Sequence, residues 1–176
     1  MKQYLVVVDI QNDFVDGALG TVEAVGILYN ACRRIREFEG DIFVTYDTHF
    51  ENYMDLAEGE KLPVPHCIKG TSGWEIHERI QGALKGKCYT PVEKHTFGST
   101  KLPELIRSSA NGEPFSITLI GLCTDICVVS NALLLKANFP DMKITVVADC
   151  CAGVTVDSHN AALITMKMCQ IDIINE

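Results

Sequence analysis

Three residues of this chain carry side chains that together could perform a nucleophilic displacement. A thiol, Cys127, lies in GLCTDICVV, a carboxylate, Asp9, in VVVDIQNDF, and an ammonium, Lys94, in VEKHTFGST. A cysteine becomes a nucleophile when a base takes its proton or its surroundings favour the thiolate. Asp9 follows three valines, and a carboxylate at the end of a buried strand is costly unless it is paired; so placed, it could act as general base. Lys94 could pair with both, holding Asp9 and stabilising the thiolate. Each has a plainer counterpart: a buried structural cysteine, an aspartate capping a turn beside Asn12 and Asp13, a surface lysine. Their joint placement, each just past an apolar run, favours the chemical reading. Gly121 ends the run before Cys127, and Thr124 or Asp125 can cap a helix that follows. Cys127 then falls in a first helical turn, where unpaired amides and the helix dipole favour a thiolate. The same amides could receive an oxyanion.

A second constellation has metal-ligand character. In Asp47-Thr48-His49 the outer residues face one way on an extended chain, and His66 follows in VPHCIKGT. One carboxylate and two imidazoles make three protein ligands with positions left open, as a catalytic or substrate-binding ion requires. The plainer counterpart is a pair of exposed loop histidines. No CxxC pair accompanies Cys67, so a structural zinc knuckle is weakly supported, and the adjacent Cys150 and Cys151 read as packing residues.

The elements that must position these groups follow from hydrophobic pattern. Short apolar runs predict five or six strands at Tyr4–Ile10, Asp41–Tyr46, Tyr89–Val92, Ser116–Gly121, Lys143–Ala148 and Ile171–Asn175. Several are continuous in Val and Ile rather than alternating, which suits a parallel sheet covered on both faces. Three- and four-residue spacing predicts helices over Val22–Phe38, Gly73–Leu84, Leu102–Ser108, Asp125–Lys136 and Asp157–Cys169. The Asp125–Lys136 stretch is apolar nearly all round and should be buried. Alternation of strand and helix predicts a three-layer, doubly wound, Rossmann-like α/β fold with a mainly parallel six-stranded sheet. Ligands of such folds collect at the carboxyl ends of the strands, where Asp9, Asp47, Lys94 and Cys127 all fall. The irregular stretch Asp47–Thr71 is long enough to suggest a functional loop.

At 176 residues, 1–176 is expected to form a single domain, and 47% hydrophobic content suffices for a core between layers. The opening apolar run is short and ends in acids, so it reads as a buried strand and not as a signal peptide or membrane span. Net charge is −8 with no Lys/Arg cluster, which argues against nucleic acid and against an anionic membrane surface as partners. With no export signal, the eight cysteines are expected as reduced thiols in the cytoplasm.

Taken in order, VVVDIQNDF, EKHTFG and GLCTDICV resemble the isochorismatase-like cysteine hydrolases, and DTH followed by PHCIKGTSGW resembles the nicotinamidase branch. The resemblance runs from about Leu5 to His159. It implies a catalytic triad of Asp9, Lys94 and Cys127. It implies an ion held by Asp47, His49 and His66, usually zinc, iron or manganese, with a fourth ligand in some relatives for which Glu58 is the first candidate here and Glu60 the second. It also implies a non-proline cis peptide between Leu122 and Cys123 that aims the amides of Cys123 and Cys127 at the oxyanion, and a substrate pocket lined by Phe14 and Leu122. The implied activity is hydrolysis of nicotinamide or a similar small amide to the acid and ammonia through a thioester, in a homo-oligomer serving NAD salvage. The sequence departs from the branch at Pro63 and Thr48, where aromatics are usual, while Phe97, Gly98 and Ser99 stand where relatives carry an aromatic and small residues. Two other readings follow: a metal-independent relative acting on a carbamoyl compound or a vinyl ether, and a thiol- or metal-binding protein without activity on the same fold.

Overall fold

The computed structural model describes residues 1–176. Six strands, β1 (Lys2–Val8), β2 (Asp41–Asp47), β3 (Tyr89–Lys94), β4 (Phe115–Leu122), β5 (Lys143–Ala152) and β6 (Asp172–Ile174), form one sheet in the order β3-β2-β1-β4-β5-β6. Every pairing is parallel. The helices are α1 (Asn12–Val15), α2 (Val22–Gly26), α3 (Leu28–Glu37), α4 (Ala57–Lys61), α5 (Glu78–Leu84), α6 (Leu102–Ala110), α7 (Val129–Asn138) and α8 (Val156–Met168). The expected three-layer, doubly wound architecture is therefore present, with a sheet that is wholly parallel.

Period-two alternation sends the side chains of β1 to opposite layers. Tyr4, Val6 and Val8 join a cluster with Ile106 of α6, Leu135 of α7 and Met166 of α8, while Leu5 and Val7 join another with Leu28 and Ile35 of α3 and Ile80 of α5. Both faces of the central strand are buried, which is why its sequence is continuous rather than alternating. No helix is long and apolar enough to cross a membrane.

Three helical expectations need correction. The Val22–Phe38 stretch divides into α2 and α3 at Gly26 and Ile27; glycine is a weak helix former, and α2 caps separately through Thr21, whose hydroxyl accepts from the amide of Ala24. Only Glu78–Leu84 of the expected Gly73–Leu84 helix forms. Residues 72–75 form a turn instead, with Trp74 N donating to Thr71 O and Glu75 N to Ser72 O, and the segment is held against the one that follows β1: Asn12 N donates to Glu75 O, Asp13 N to Gly73 O and His77 N to Ile10 O. The helix expected from Asp125 begins with a π-helical turn over Thr124–Val128 before α7. Neither Thr124 nor Asp125 caps it. Thr124 Oγ1 bonds His159 Nδ1 at 2.8 Å, and the Asp125 carboxylate accepts from the amide of Val154. Both side chains thus tie the turn to the start of α8.

At Gly121 the backbones of the two central strands leave no room for a side chain. Its φ is +128°, and a Cβ there would lie 2.0 Å from the carbonyl oxygen of Val8, its partner across the ladder. Replacing Gly121 with alanine must part β1 from β4 just beneath the strand ends. The variant is expected to lose at least about 3 kcal/mol, lowering the thermal midpoint by roughly 6–12 °C, measured by calorimetry.

Candidate active site and metal centre

The expected residues converge at the carboxyl ends of β1 to β4. Asp9 leaves β1 in a left-handed conformation, φ 46°, and is fully buried. Its Oδ1 accepts from the Thr45 hydroxyl at 2.6 Å, and its Oδ2 stands 2.7 Å from Lys94 Nζ with no other partner in the protein. Lys94 is the last residue of β3 and is 3% exposed. Its ammonium also lies 3.0 Å from Asp47 Oδ1 and 3.5 Å from Cys127 Sγ. One cation thus touches two carboxylates and a thiol.

Burial and these charges set the protonation states. Burial pushes the Asp9 carboxyl above its ordinary value of 3.8, with Lys94 opposing. Burial would also discharge Lys94, but the Asp9 carboxylate first, and Asp47 with it, hold its ammonium well above the ordinary lysine range. Cys127 is pushed well up, first by burial and then by the Asp9 carboxylate. The thiolate expected from the helical turn is therefore not the resting form: desolvation and a neighbouring anion outweigh one turn of amides. The arrangement is a neutral thiol beside a carboxylate of raised basicity, which suits proton transfer during attack.

The Leu122–Cys123 peptide is cis. The amide of Cys123 donates to no acceptor in the protein, and Cys127, 4% exposed, lies in the turn that follows. Both cysteines line a cavity of about 600 Å³, together with Phe14 and Leu122.

The loop after β2 brings the second constellation together. His49 N donates to Cys67 O and Lys69 N to His49 O, a short parallel bridge between the DTH and PHC segments. Ligand atoms of Asp47, His49 and His66 lie within 4.8 Å of one another, and all three residues are buried. Asp47 Oδ2 is 3.0 Å from His49 Nε2 and 3.6 Å from His66 Nε2. Glu58, on α4, brings Oε1 to 3.7 Å and 3.8 Å from the same two nitrogens, whereas Glu60 is exposed. Ligands about 2.0–2.1 Å from a tetrahedral ion lie roughly 3.3 Å apart, so these spacings fit a divalent cation. His66 fits it further: Nδ1 is 2.8 Å from the carbonyl of Val64, which can only accept, so the ring donates there and Nε2 is the atom directed at Asp47 and Glu58, able to bind an ion once its proton is displaced. Although burial raises it, the Asp47 carboxyl is held well below the usual carboxylate range by its bonds to His49 and His66 and by Lys94. Asp47 is thus an anion shared by both constellations.

Sequence reading missed part of the cavity wall. Lys61 and Leu62 at the end of α4, His95 beside Lys94, and Val154 before α8 all line it. Such loop positions carry no periodic signal. Pro63, where relatives carry an aromatic, is exposed, and Leu62 supplies the apolar wall nearby.

Comparison with known proteins agrees with this geometry. The family model described as the isochorismatase domain matches residues 3–175. A nicotinamidase/pyrazinamidase of Mycobacterium tuberculosis is 26% identical over 186 residues, covering 97% of each chain. The crystal structure of the Bacillus subtilis nicotinamidase/pyrazinamidase PncA superposes with a TM-score of 0.84 at 26% identity, over 99% of this chain and 100% of that one. A Pyrococcus horikoshii pyrazinamidase in complex with zinc shares the fold, with a TM-score of 0.79 at 23% identity over the whole of both chains.

Removing the shared cation should expose its structural weight. Lys94→Met keeps the length of the side chain but leaves Asp9 and Asp47 facing a methyl group. Stability to denaturant at neutral pH is expected to fall by about 3 kcal/mol or more. The deficit should shrink as the pH is lowered, because protonation discharges Asp9.

Proposed function

The chain belongs to the isochorismatase family and is a nicotinamidase/pyrazinamidase-like hydrolase of it, and from that premise we propose that residues 1–176 form one hydrolase domain that cleaves nicotinamide, or a close small amide, to the acid and ammonia through a thioester on Cys127. The observation that carries this reading is the contact of one buried ammonium, Lys94, with Asp9, Asp47 and the Cys127 thiol at a half-open, mostly apolar cavity. A binding module would need no buried carboxylate of raised basicity beside a thiol.

In this mechanism Asp9 takes the Cys127 proton as Sγ attacks the amide carbon. The new C–S bond displaces the carbonyl pair onto oxygen, and the amides of Cys123 and Cys127 receive that charge. Lys94 keeps Asp9 oriented and offsets the anion formed on sulfur. Asp9 returns the proton to nitrogen as the C–N bond breaks and ammonia leaves. Asp9 then takes a proton from water as it attacks the thioester, and the thiol is restored as the acid departs. Phe14 and Leu122 form apolar walls for the ring of the substrate.

Asp47, His49 and His66, with Glu58 as fourth ligand, are proposed to hold a divalent ion, zinc first and iron or manganese next. When bound, it would supply Lewis acidity to a lone-pair donor of the substrate. Convergence of these ligands disfavours the metal-independent reading. The charge and the lack of a basic cluster favour a small-molecule partner over nucleic acid or membrane, and a cytoplasmic homo-oligomer is the proposed setting.

The test is ammonia release from nicotinamide with metal analysis of the same preparation. The expected result is release with about one ion per chain, falling about 10³-fold or more in Cys127→Ala. A metal-loaded protein that releases no ammonia would remove nicotinamide and leave another small amide. A second expectation concerns pH. Catalysis needs Asp9 ionised, and burial raises its carboxyl above 3.8. The acid limb of kcat/KM should therefore lie above that value, activity falling as the pH drops through it, and Asp9→Asn should be about 10²–10⁴-fold slower at every pH.

A further inference from the structure

Where β1 leaves the sheet, the end of β2 loses its neighbour. The β1–β2 register runs to Val8 against Thr45, and Asp9 then turns away with positive φ. The backbone of Asp47, two residues further on, should be unpaired on that side. The side chain of Gln11 fills the place. It is fully buried. Its Oε1 accepts from Asp47 N at 2.7 Å, and its Nε2 donates to Asp47 O at 2.9 Å and to Trp74 O at 2.8 Å. Every polar atom of the amide is engaged, and both polar atoms of the Asp47 backbone are held.

Two residues later Asp13 does the same for the other ligand-bearing segment. Its Oδ2 accepts from Cys67 N at 2.8 Å. Cys67 is fully buried with φ 47° and immediately follows His66. Phe14 packs its ring against His66 at 5.4 Å between centroids. The stretch directly after the first strand thus grips the backbones of both segments that carry the ligand cluster, yet contributes no ligand.

We propose that Gln11 and Asp13 are positioning residues for the Asp47–His49–His66 cluster, fixing the separation of its carboxylate from its imidazoles by hydrogen bonds to the backbones that bear them. This rests on the reading of that cluster as a metal centre. Buried groups around ligands typically govern affinity because a ligand held in place loses less freedom on binding. A role confined to folding would lower the unfolding midpoint of the metal-free protein and leave the ion affinity of the folded protein unchanged.

The experiment measures zinc affinity by competition with a chromophoric chelator, together with the unfolding midpoint of the metal-free form, for the wild type, Gln11→Met, Asp13→Ala and Asp13→Asn. Gln11→Met and Asp13→Ala are expected to bind zinc about 10–100-fold more weakly while still folded. Asp13→Asn retains an acceptor for the Cys67 amide and should recover most of the affinity. Should Gln11→Met fail to fold, the two Asp13 variants carry the test. Zinc affinity within twofold of wild type in the folded variants would overturn the proposal, as would Asp13→Asn binding no better than Asp13→Ala. A wild-type protein that binds none of zinc, iron(II) and manganese(II) would overturn the metal centre itself and this role with it.

Discussion

Lys94 carries its ammonium to a place where burial alone would strip its charge, and it stays charged because the carboxylates of Asp9 and Asp47 face it, with the Cys127 thiol alongside. The converse holds for its neighbours, since two buried carboxylates this close would repel one another without a cation between them. Each group is therefore tolerable only because the others are present. Strand order follows from that mutual need. Asp9, Asp47 and Lys94 lie at the ends of β1, β2 and β3, adjacent parallel strands, and Cys127 follows β4 on the other side of β1. Only a sheet with β1 at its centre sets them all around one point.

Asp47 divides its two oxygens between functions. Oδ1 faces the lysine and Oδ2 faces the histidines, so the lysine–thiol group and the histidine cluster are two halves of one electrostatic unit.

Much of this was legible in the chain because the fold requires it locally. Continuous Val/Ile runs mark strands buried on both faces, and all six were found near their observed places. Their ends were read short at β3 and β5, because Glu93, Lys94 and Asp149 interrupt the apolar pattern while their backbones stay in strand conformation. The site residues were legible since charged groups at strand ends are costly without a purpose, and the family resemblance supplied their roles. What stayed hidden was non-local. Residues 73–77 carry helical spacing but are held out of a helix by bonds to Ile10, Asn12 and Asp13. Thr124 and Asp125 suit a helix cap but are claimed by α8. The choice of Glu58 over Glu60 depends on which face α4 presents to the histidines, and five residues show no period from which to read it.

The position of β1 also bears on how the chain emerges from the ribosome. Its first partner, β2, follows within a few dozen residues, but its other edge waits for β4, synthesised much later. Until then a strand rich in valine presents an unpaired ladder, the kind of edge that recruits other chains. Nascent chains stalled before Phe115 should thus be the form most in need of chaperone cover, and Cys127 arrives only as that edge is sealed, so that the completed group around Lys94 and a closed sheet appear in the same interval of synthesis.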